Sequence, residues 1–418
     1  MRLFGRGNDG DDRDGQGRPL DYPAFRAALA SRVISGLGTW MQIVAAGWLV
    51  FDITGSAAAV GVLTVAVKGP GLLFSTYGGE LADRYDRRRI VVISSAVSAI
   101  FAGLLAVLAW ESPSTPLVVY LPALVLGISS SIGNASKTAV VMGTVPKELL
   151  ASATGMSSVA YNLCRLIGPV IGGLLVVAVG PGPCFALNGL SYVAVALLVA
   201  RLPTTAAGSG QASTSVREAV RIAAGDPRLR GFFLATVAFS LLIAPIQEIA
   251  PAIAKEHGDG AHLLGFMLAA LAAGGLTGNW LRTKLAPRFS VQRLLGLAIM
   301  AGVIPLAALG GVCAAGTATL GDGGDFALAV LVMFSLGIGW EILYITTLSG
   351  VQLVRTDVSG VMTGFYYTLV LGGLSIGALG LGALIDTIEL GGGLLVAAGL
   401  LAVIGFYMLR ESNEPETT

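Results

Sequence analysis

The sequence runs to 418 residues, 54% of them hydrophobic and only 12% charged, with a formal net charge of +1 and a mean hydropathy of +0.79. Soluble domains carry about twice that share of charge, so a disordered chain, a nucleic-acid binder and an ordinary soluble enzyme are all excluded, leaving an integral membrane protein. Glycine contributes 58 residues, a content that suits membrane helices whose backbones approach closely.

Taken in chain order, the sequence opens with a polar arm over 1–28. It carries both signs of charge at Arg2, Asp11, Asp12, Arg13 and Asp14 and reads as disordered and cytoplasmic, without a cleavable signal peptide. Apolar runs long enough to cross a bilayer, about 20 residues, follow at 30–51, 57–81, 90–110, 117–142, 152–179 and 183–201, giving an N-terminal half over 29–201. The stretch 202–230 is the long polar interruption. Within it, 213–224 has the pattern of a short amphipathic helix on the membrane surface, ended by Asp226-Pro227. Six further runs, at 231–253, 262–283, 291–314, 326–350, 358–385 and 392–409, make a C-terminal half over 231–410, and 411–418 is a polar tail. The expected fold class is an all-α membrane protein of twelve transmembrane helices in two six-helix halves.

Basic residues orient these spans. Arg2, Arg6, Arg13, Arg18 and Arg26 precede the first, Arg84, Arg87, Arg88 and Arg89 follow the second, and Lys147 follows the fourth. Arg201, Arg217, Arg221, Arg228 and Arg230 lie between the halves. Arg282, Lys284, Arg288 and Arg293 follow the eighth span, and Arg355 and Arg410 complete the side. That places 21 of the 26 basic residues on one face and Lys255 alone on the other, with Arg32, Lys68, Lys137 and Arg165 inside spans. The asymmetry predicts both termini in the cytoplasm. A shift of 206 residues aligns Met156, Tyr161 and Leu163 with Met362, Tyr367 and Leu369, in keeping with parallel repeats. Cys164, Cys184 and Cys313 are odd in number and without a CxxC pair, and His257 and His262 are the only histidines, so neither a disulfide framework nor a metal site is indicated. Gly127 to Thr138 has the flavour of a phosphate-binding loop, but its lysine does not directly follow the second glycine, and no catalytic set appears.

After the second span the chain reads Gly78-Gly79-Glu80-Leu81-Ala82-Asp83-Arg84-Tyr85-Asp86-Arg87-Arg88-Arg89-Ile90. This resembles the loop signature of the major facilitator superfamily. Gly79 permits close helix approach, Asp83 suits the positive N-terminus of a neighbouring helix (span eleven, by the resemblance), and Arg84, Arg87 and Arg88 suit acids or anionic head groups. The set reads as a latch on the cytoplasmic gate rather than a plain positive anchor, because an anchor needs no Leu-Ala-Asp. Span five reads Gly155-x8-Cys164-x3-Gly168-Pro169-x2-Gly172-Gly173 and is similar to the superfamily's exporter-associated motif, with Cys164 where glycine is usual. Glycines one turn apart give a smooth face for another helix, and Pro169 bends the span; the alternative is generic small-residue packing. The segments Arg32 to Gln42, Trp48 to Ser56, Asn162 to Pro169, Phe185 to Tyr192 and Asp226 to Arg230 resemble the enterobactin-exporter and macrolide-efflux branch.

The resemblance implies a multi-pass protein of the bacterial inner membrane that moves amphiphilic small molecules (a drug, siderophore or secondary metabolite) outward in exchange for protons. It implies no cofactor beyond the proton gradient, no enzymatic activity, a monomer, and partners limited to the bilayer, the substrate and protons, with no nucleic acid. Uptake by the same fold is the alternative, and a receptor or scaffold a more remote one. Span four lacks the arginine found in many proton-coupled relatives: Leu121-Pro-Ala-Leu-Val-Leu-Gly127 stands there.

Charges within hydrocarbon are costly and mark cavities or partners. Lys68, Lys137 and Arg165 lie in the N-terminal half, with Arg32 at its start and Asn134 near Lys137; Glu248 and Glu341 lie in the C-terminal half. Glu341 is the first candidate proton carrier, against a permanent salt bridge to Lys68, Lys137 or Arg165, and Glu248 is the second. Arg165 lies inside a packing motif, and Lys137 and Arg32 suit snorkelling to the interface. Trp40, Trp48, Tyr161, Tyr366 and Tyr367 are candidates for an aromatic pocket, core packing being the commoner role.

Overall fold

Proline and glycine punctuate the apolar runs, and the helices start and stop at them. The structure, a computed structural model, describes residues 18–111, 113–202, 221–222, 225–256, 260–315, 322–354 and 359–411. The predicted helix over 213–224 falls almost wholly outside these residues.

Helix α1 (Pro23–Thr54) starts at a proline, whose missing N–H costs nothing there. It stops at Gly55, which adopts the left-handed conformation (φ 61°) and donates its N–H to Phe51 O at 2.8 Å. The second run divides into α2 (Ala57–Lys68) and α3 (Pro70–Arg84). Pro70 has no amide hydrogen for the ladder, so the run breaks at Gly69 and leaves Lys68 at the joint. Then come α4 (Arg87–Trp110), α5 (Leu117–Met142), α6 (Leu150–Val179) and α7 (Gly182–Ala200). The seventh run is the most interrupted. It comprises α8 (Pro227–Ala238), a π-helical turn (Phe239–Ile243), α9 (Ala244–Glu248) and α10 (Ala250–Glu256), with Pro245 and Pro251 at the starts of the short pieces. The remainder is α11 (Gly260–Leu285), α12 (Val291–Ala314), α13 (Asp322–Val354) and α14 (Ser359–Glu411).

No strand occurs among the described residues. Among the described residues, eleven helical stretches are long and apolar enough to cross a membrane. The last, Met362–Arg410, has 49 residues, about 74 Å at the usual rise per residue, more than twice a bilayer's hydrocarbon thickness of roughly 30 Å. It is not continuous, because Ile388 and Glu389 leave helical geometry and Glu389 takes φ 66°. Two predicted runs, 358–385 and 392–409, therefore lie in one element with a sharp internal turn.

Helices α1, α6 and α7 pack together, α4 lies against α5 and α7, and α3 lies against α5. Among later elements, α11 packs on α13, and α12 on α13 and α14. Two seams join the early group to the late one: α6 with α11, and α2 with the first part of α14. Buried apolar residues follow this division, with one cluster largely in the late group and another largely in the early group. Outward-facing side chains are also apolar; Ile304 is 75% exposed, Val403 70% and Ile100 67%. An apolar belt of that kind is the surface a bilayer requires.

Candidate functional site

A cavity of about 670 Å³ lies at the centre of the bundle. Its charged lining comes from four elements. Arg32 projects from α1, Lys68 from the α2–α3 joint, Lys137 from α5 and Glu248 from α9. Asn134, Ser130 and Ser131 add neutral polar groups from α5, Trp40 and Tyr161 form an aromatic corner (centroids 6.4 Å apart), and Leu264 and Leu268 of α11 supply apolar wall. Glu248 accepts a hydrogen bond from Thr64 Oγ1 (3.2 Å) across the two groups of helices and another from Gln247 Nε2 (3.3 Å). Lys137 does not run out to an interface as snorkelling would have it. Its Nζ sits 5.5 Å from the centre of the Tyr192 ring on the cavity wall.

Arg165 and Glu341 do not line this cavity. The Arg165 guanidinium lies between two indoles, 5.9 Å from Trp40 of α1 and 5.6 Å from Trp340 of α13. Glu341 stands beside it. A Cβ built on Gly275 of α11 would lie 3.4 Å from Glu341 Oε2 and 3.9 Å from Arg165 Nη1, so the glycine is what lets both charged ends share this space. Arg165 and Arg282 are the cations acting on Glu341, and no salt bridge within 4 Å joins Glu341 to Lys68, Lys137 or Arg165. Of the aromatic candidates, Trp40 and Tyr161 reach the cavity. Trp48 packs on the core, and the Tyr366 hydroxyl is buried between Thr347 (3.1 Å) and Tyr344 O (3.1 Å).

The span-five glycines divide between two neighbours. A Cβ on Gly168 would meet Trp40 Cβ at 2.6 Å, and one on Gly172 would meet Met41 Cα at 2.9 Å, so these two let α6 lie on α1. Gly173 faces α11 instead, with Ala261 O 2.5 Å from its would-be Cβ, and Gly265 of α11 lies equally close to the Pro169 carbonyl. Cys164, in the place of the usual glycine, is 1% exposed and points its sulfur at Val33 O, 3.4 Å away. Gly155 belongs to neither contact, since a Cβ there meets nothing within 4 Å.

The seams are closed at one end. Where α1 finishes and α2 begins, Asp386 of α14 accepts hydrogen bonds from Ser56 Oγ (2.5 Å), Ala57 N (2.8 Å) and Ala58 N (3.2 Å), capping the N-terminus of α2. A Cβ on Gly382 would come 2.5 Å from Ala57 O, and one on Gly61 2.7 Å from Ala378 O. Lys255 adds an ion pair to Asp52 at 2.6 Å. At the opposite end, where α3 finishes, α3 touches α14 only sparsely, and Gly155 and Gly364 both face open space. Of the latch residues, Arg87 Nε donates to Ala82 O (3.1 Å), Arg88 donates to the carbonyls of Ala200 (3.3 Å) and Leu202 (3.1 Å) at the end of α7, and Arg84 is exposed. The side chains of Gly79's neighbour Glu80 and of Asp83 lie outside the described residues.

Sequence reasoning did not reach Asp386, and it noted Lys255 only as the lone basic residue of its face, without a partner. An acid placed just after a predicted span carries no sign of a partner some 330 positions earlier.

A helical bundle with an apolar belt and a charged central cavity, sealed at one end, defines a multi-pass membrane transporter. The chain belongs to the major facilitator superfamily: residues 15–417 match its MFS_3 family, described as transmembrane secretion effector. Its relatives in this family are transporters rather than enzymes. An MFS-type transporter of Bacillus subtilis (strain 168), YfiS, itself uncharacterized, is 26% identical over 412 residues, covering 93% of this chain and 95% of the relative. The enterobactin exporter EntS of Shigella flexneri is 28% identical over 306 residues, covering 70% and 73%. Among solved structures, the nucleoside transporter NupG superposes with a TM-score of 0.71 at 13% identity, covering 94% of this chain and all of that one. A bacterial homologue of the lysosomal transporter Spinster, in an inward-facing and unoccupied conformation, gives 0.65 at 15% identity with 95% and 94% coverage. At these identities the structural likenesses show the fold alone.

Proposed function

We propose that the protein is a secondary active exporter that carries amphiphilic small molecules outward across the bacterial inner membrane and returns protons. The observation that carries this reading is one central cavity sealed at a single end by contacts between the two helix groups. Alternating access needs such a seal to break while its counterpart forms. The turn at Ile388–Glu389 supports counting α14 as two spans, hence twelve in all, two six-span halves and both termini on the arginine-rich cytoplasmic side. The cavity is then open to the cytoplasm, where an exported substrate enters. When that end closes, Gly79 and the Asp83–Arg88 segment latch α3 against the start of α14. Similarity to the enterobactin exporter and the span-five glycines favours export over uptake.

Protons pass by way of Glu341 in this reading. A carboxylate facing Arg165 across Gly275 holds α13 toward α6, and taking up a proton releases that hold. Glu248, in the cavity itself, is the second candidate.

The test compares small molecules inside and outside cells with and without the gene, repeated with an uncoupler. The expected result is a compound that accumulates inside deletion cells, disappears from the medium, and does the same in wild-type cells given uncoupler. Glu341→Gln should leave transport insensitive to the pH gradient; a gradient dependence equal to wild type moves the proton site to Glu248. A nutrient that fails to enter the deletion strain would establish uptake instead.

A further inference from the structure

The central cavity holds more positive charge than its own walls neutralise. Arg32, Lys68 and Lys137 all line it, against the single carboxylate of Glu248, which already receives Thr64 and Gln247. Among the described residues, none of the three cavity cations takes part in a salt bridge, unlike Arg88 with Asp86 and Lys255 with Asp52. Arg32 Nε is shut off from solvent with no hydrogen-bond partner. Lys137 has only the face of Tyr192 beneath it. Arg32 and Lys137 are moreover close enough to act on one another as like charges. Two cations left together in a partly dehydrated cleft, one with an unused donor, are costly unless something completes them. Interface anchoring does not account for them, because they face the cavity and not the lipid.

We infer that the substrate is an organic anion with an apolar or aromatic body. Its carboxylate, sulfonate or phosphate group sits between Arg32 and Lys137, with Lys68 adding field from the α2–α3 joint. Its body lies on Trp40 and Tyr161 and reaches toward Leu264 and Leu268. This rests on the transporter reading above and adds the substrate's charge to it. Asn134 and Ser131, on the same wall, are placed for further oxygens of the ligand. Glu248 sets the limit on that charge, since it faces the same volume and repels an excess of acid groups.

The experiment is calorimetric titration of the purified full-length protein with three probes of one shape, 1-naphthoate, 1-naphthamide and 1-naphthylmethylammonium. Naphthoate should bind at least ten-fold more tightly than the amide, and the ammonium probe most weakly. Arg32→Gln and Lys137→Gln should each lower naphthoate affinity about ten-fold, the worth of one charge-assisted hydrogen bond, and leave the amide unchanged. Glu248→Gln should tighten naphthoate binding, a gain that misfolding cannot imitate. Tighter binding of the ammonium probe, equal binding of all three, absence of naphthoate binding, or naphthoate affinity unmoved by all three substitutions overturns the inference. Flux of naphthoate through oriented proteoliposomes separates it from the export reading. Inward-only flux with the anion preference intact removes export and leaves the anion site, whereas outward flux of the ammonium probe alone removes the anion site and leaves export.

Discussion

Asp386 shows how much can hang on one carboxylate when its partners are backbone. The first N–H groups of a helix have no intrahelical acceptor, and α2 meets that need with a side chain from α14. An acid at a helix N-terminus interacts with the helix dipole as well as with individual donors, and a lost cap costs on the order of 1 kcal/mol. Asp386→Ala should therefore shift the population toward a state open at this end. Labelling of a cysteine placed at Val60, buried beneath the seam, by a membrane-impermeant maleimide should rise several-fold; an unchanged rate would show that the cap does not hold the seam. The intramembrane charges were legible in the sequence because any charge stands out in an apolar run. Their destinations were not. Glu341, read as a proton carrier, and Arg165, read as part of a packing motif, lie together at the α6–α11–α13 junction, while Lys137 looked like an interface anchor and lines the cavity. Where every face of a helix is apolar, sequence gives a residue's depth but not its direction around the axis.

At the scale of the element, glycine decides which helices may touch. A Cβ on Gly337 of α13 would come 2.1 Å from Leu271 O, and one on Gly274 of α11 would come even closer to Phe334 O. Gly337→Ala must push α11 and α13 apart, and a loss of about 1–3 kcal/mol is the usual size of such overpacking; a clear drop in melting temperature in detergent is the expected reading. Gly155→Leu should behave differently. Its site is open, so thermal stability should hold, while transport should fail if that end must close during the cycle. Normal flux in this variant would mean that α6 never packs there. The span-five motif was legible as a smooth face, but not its division between α1 and α11, since spacing alone names no neighbour. The seventh run illustrates the same limit. The run 231–253 was read as one span, and nothing in that reading announced its breaks near Pro245 and Pro251 or the π turn at Phe239–Ile243, which places Ser240 and Leu241 against Gly373 and Gly377 of α14.

For the whole molecule, the regular alternation of apolar runs and polar breaks was enough to anticipate an all-helical membrane bundle, and the loop signature was enough to anticipate its superfamily. The two seams were beyond reach because each depends on contacts between residues far apart in the chain. If the early and late groups are self-sufficient halves, then residues 1–210 and 211–418 made as separate chains should reassemble. Co-purification of the two pieces with partial transport is the expected outcome, and failure of either piece to fold alone would show that the seams stabilise the halves themselves.

The Asp386 contact also has a consequence for biogenesis. Ser56 and Asp386 are 330 positions apart, and at ordinary elongation speeds the ribosome takes roughly 15 to 65 seconds to cover that distance. Throughout that interval the early helices lack the Asp386 cap at the start of α2, where Ser56 alone accepts from the Ala59 N–H, and their cavity is missing its α14 wall. Closure thus waits until α14 has been made, and a chain truncated before Asp386 never reaches it. Such a fragment would be an unsealed vestibule, a leaky and recognisable target for membrane proteases, so the residue that shuts the transporter also reports that the early and late helices have met.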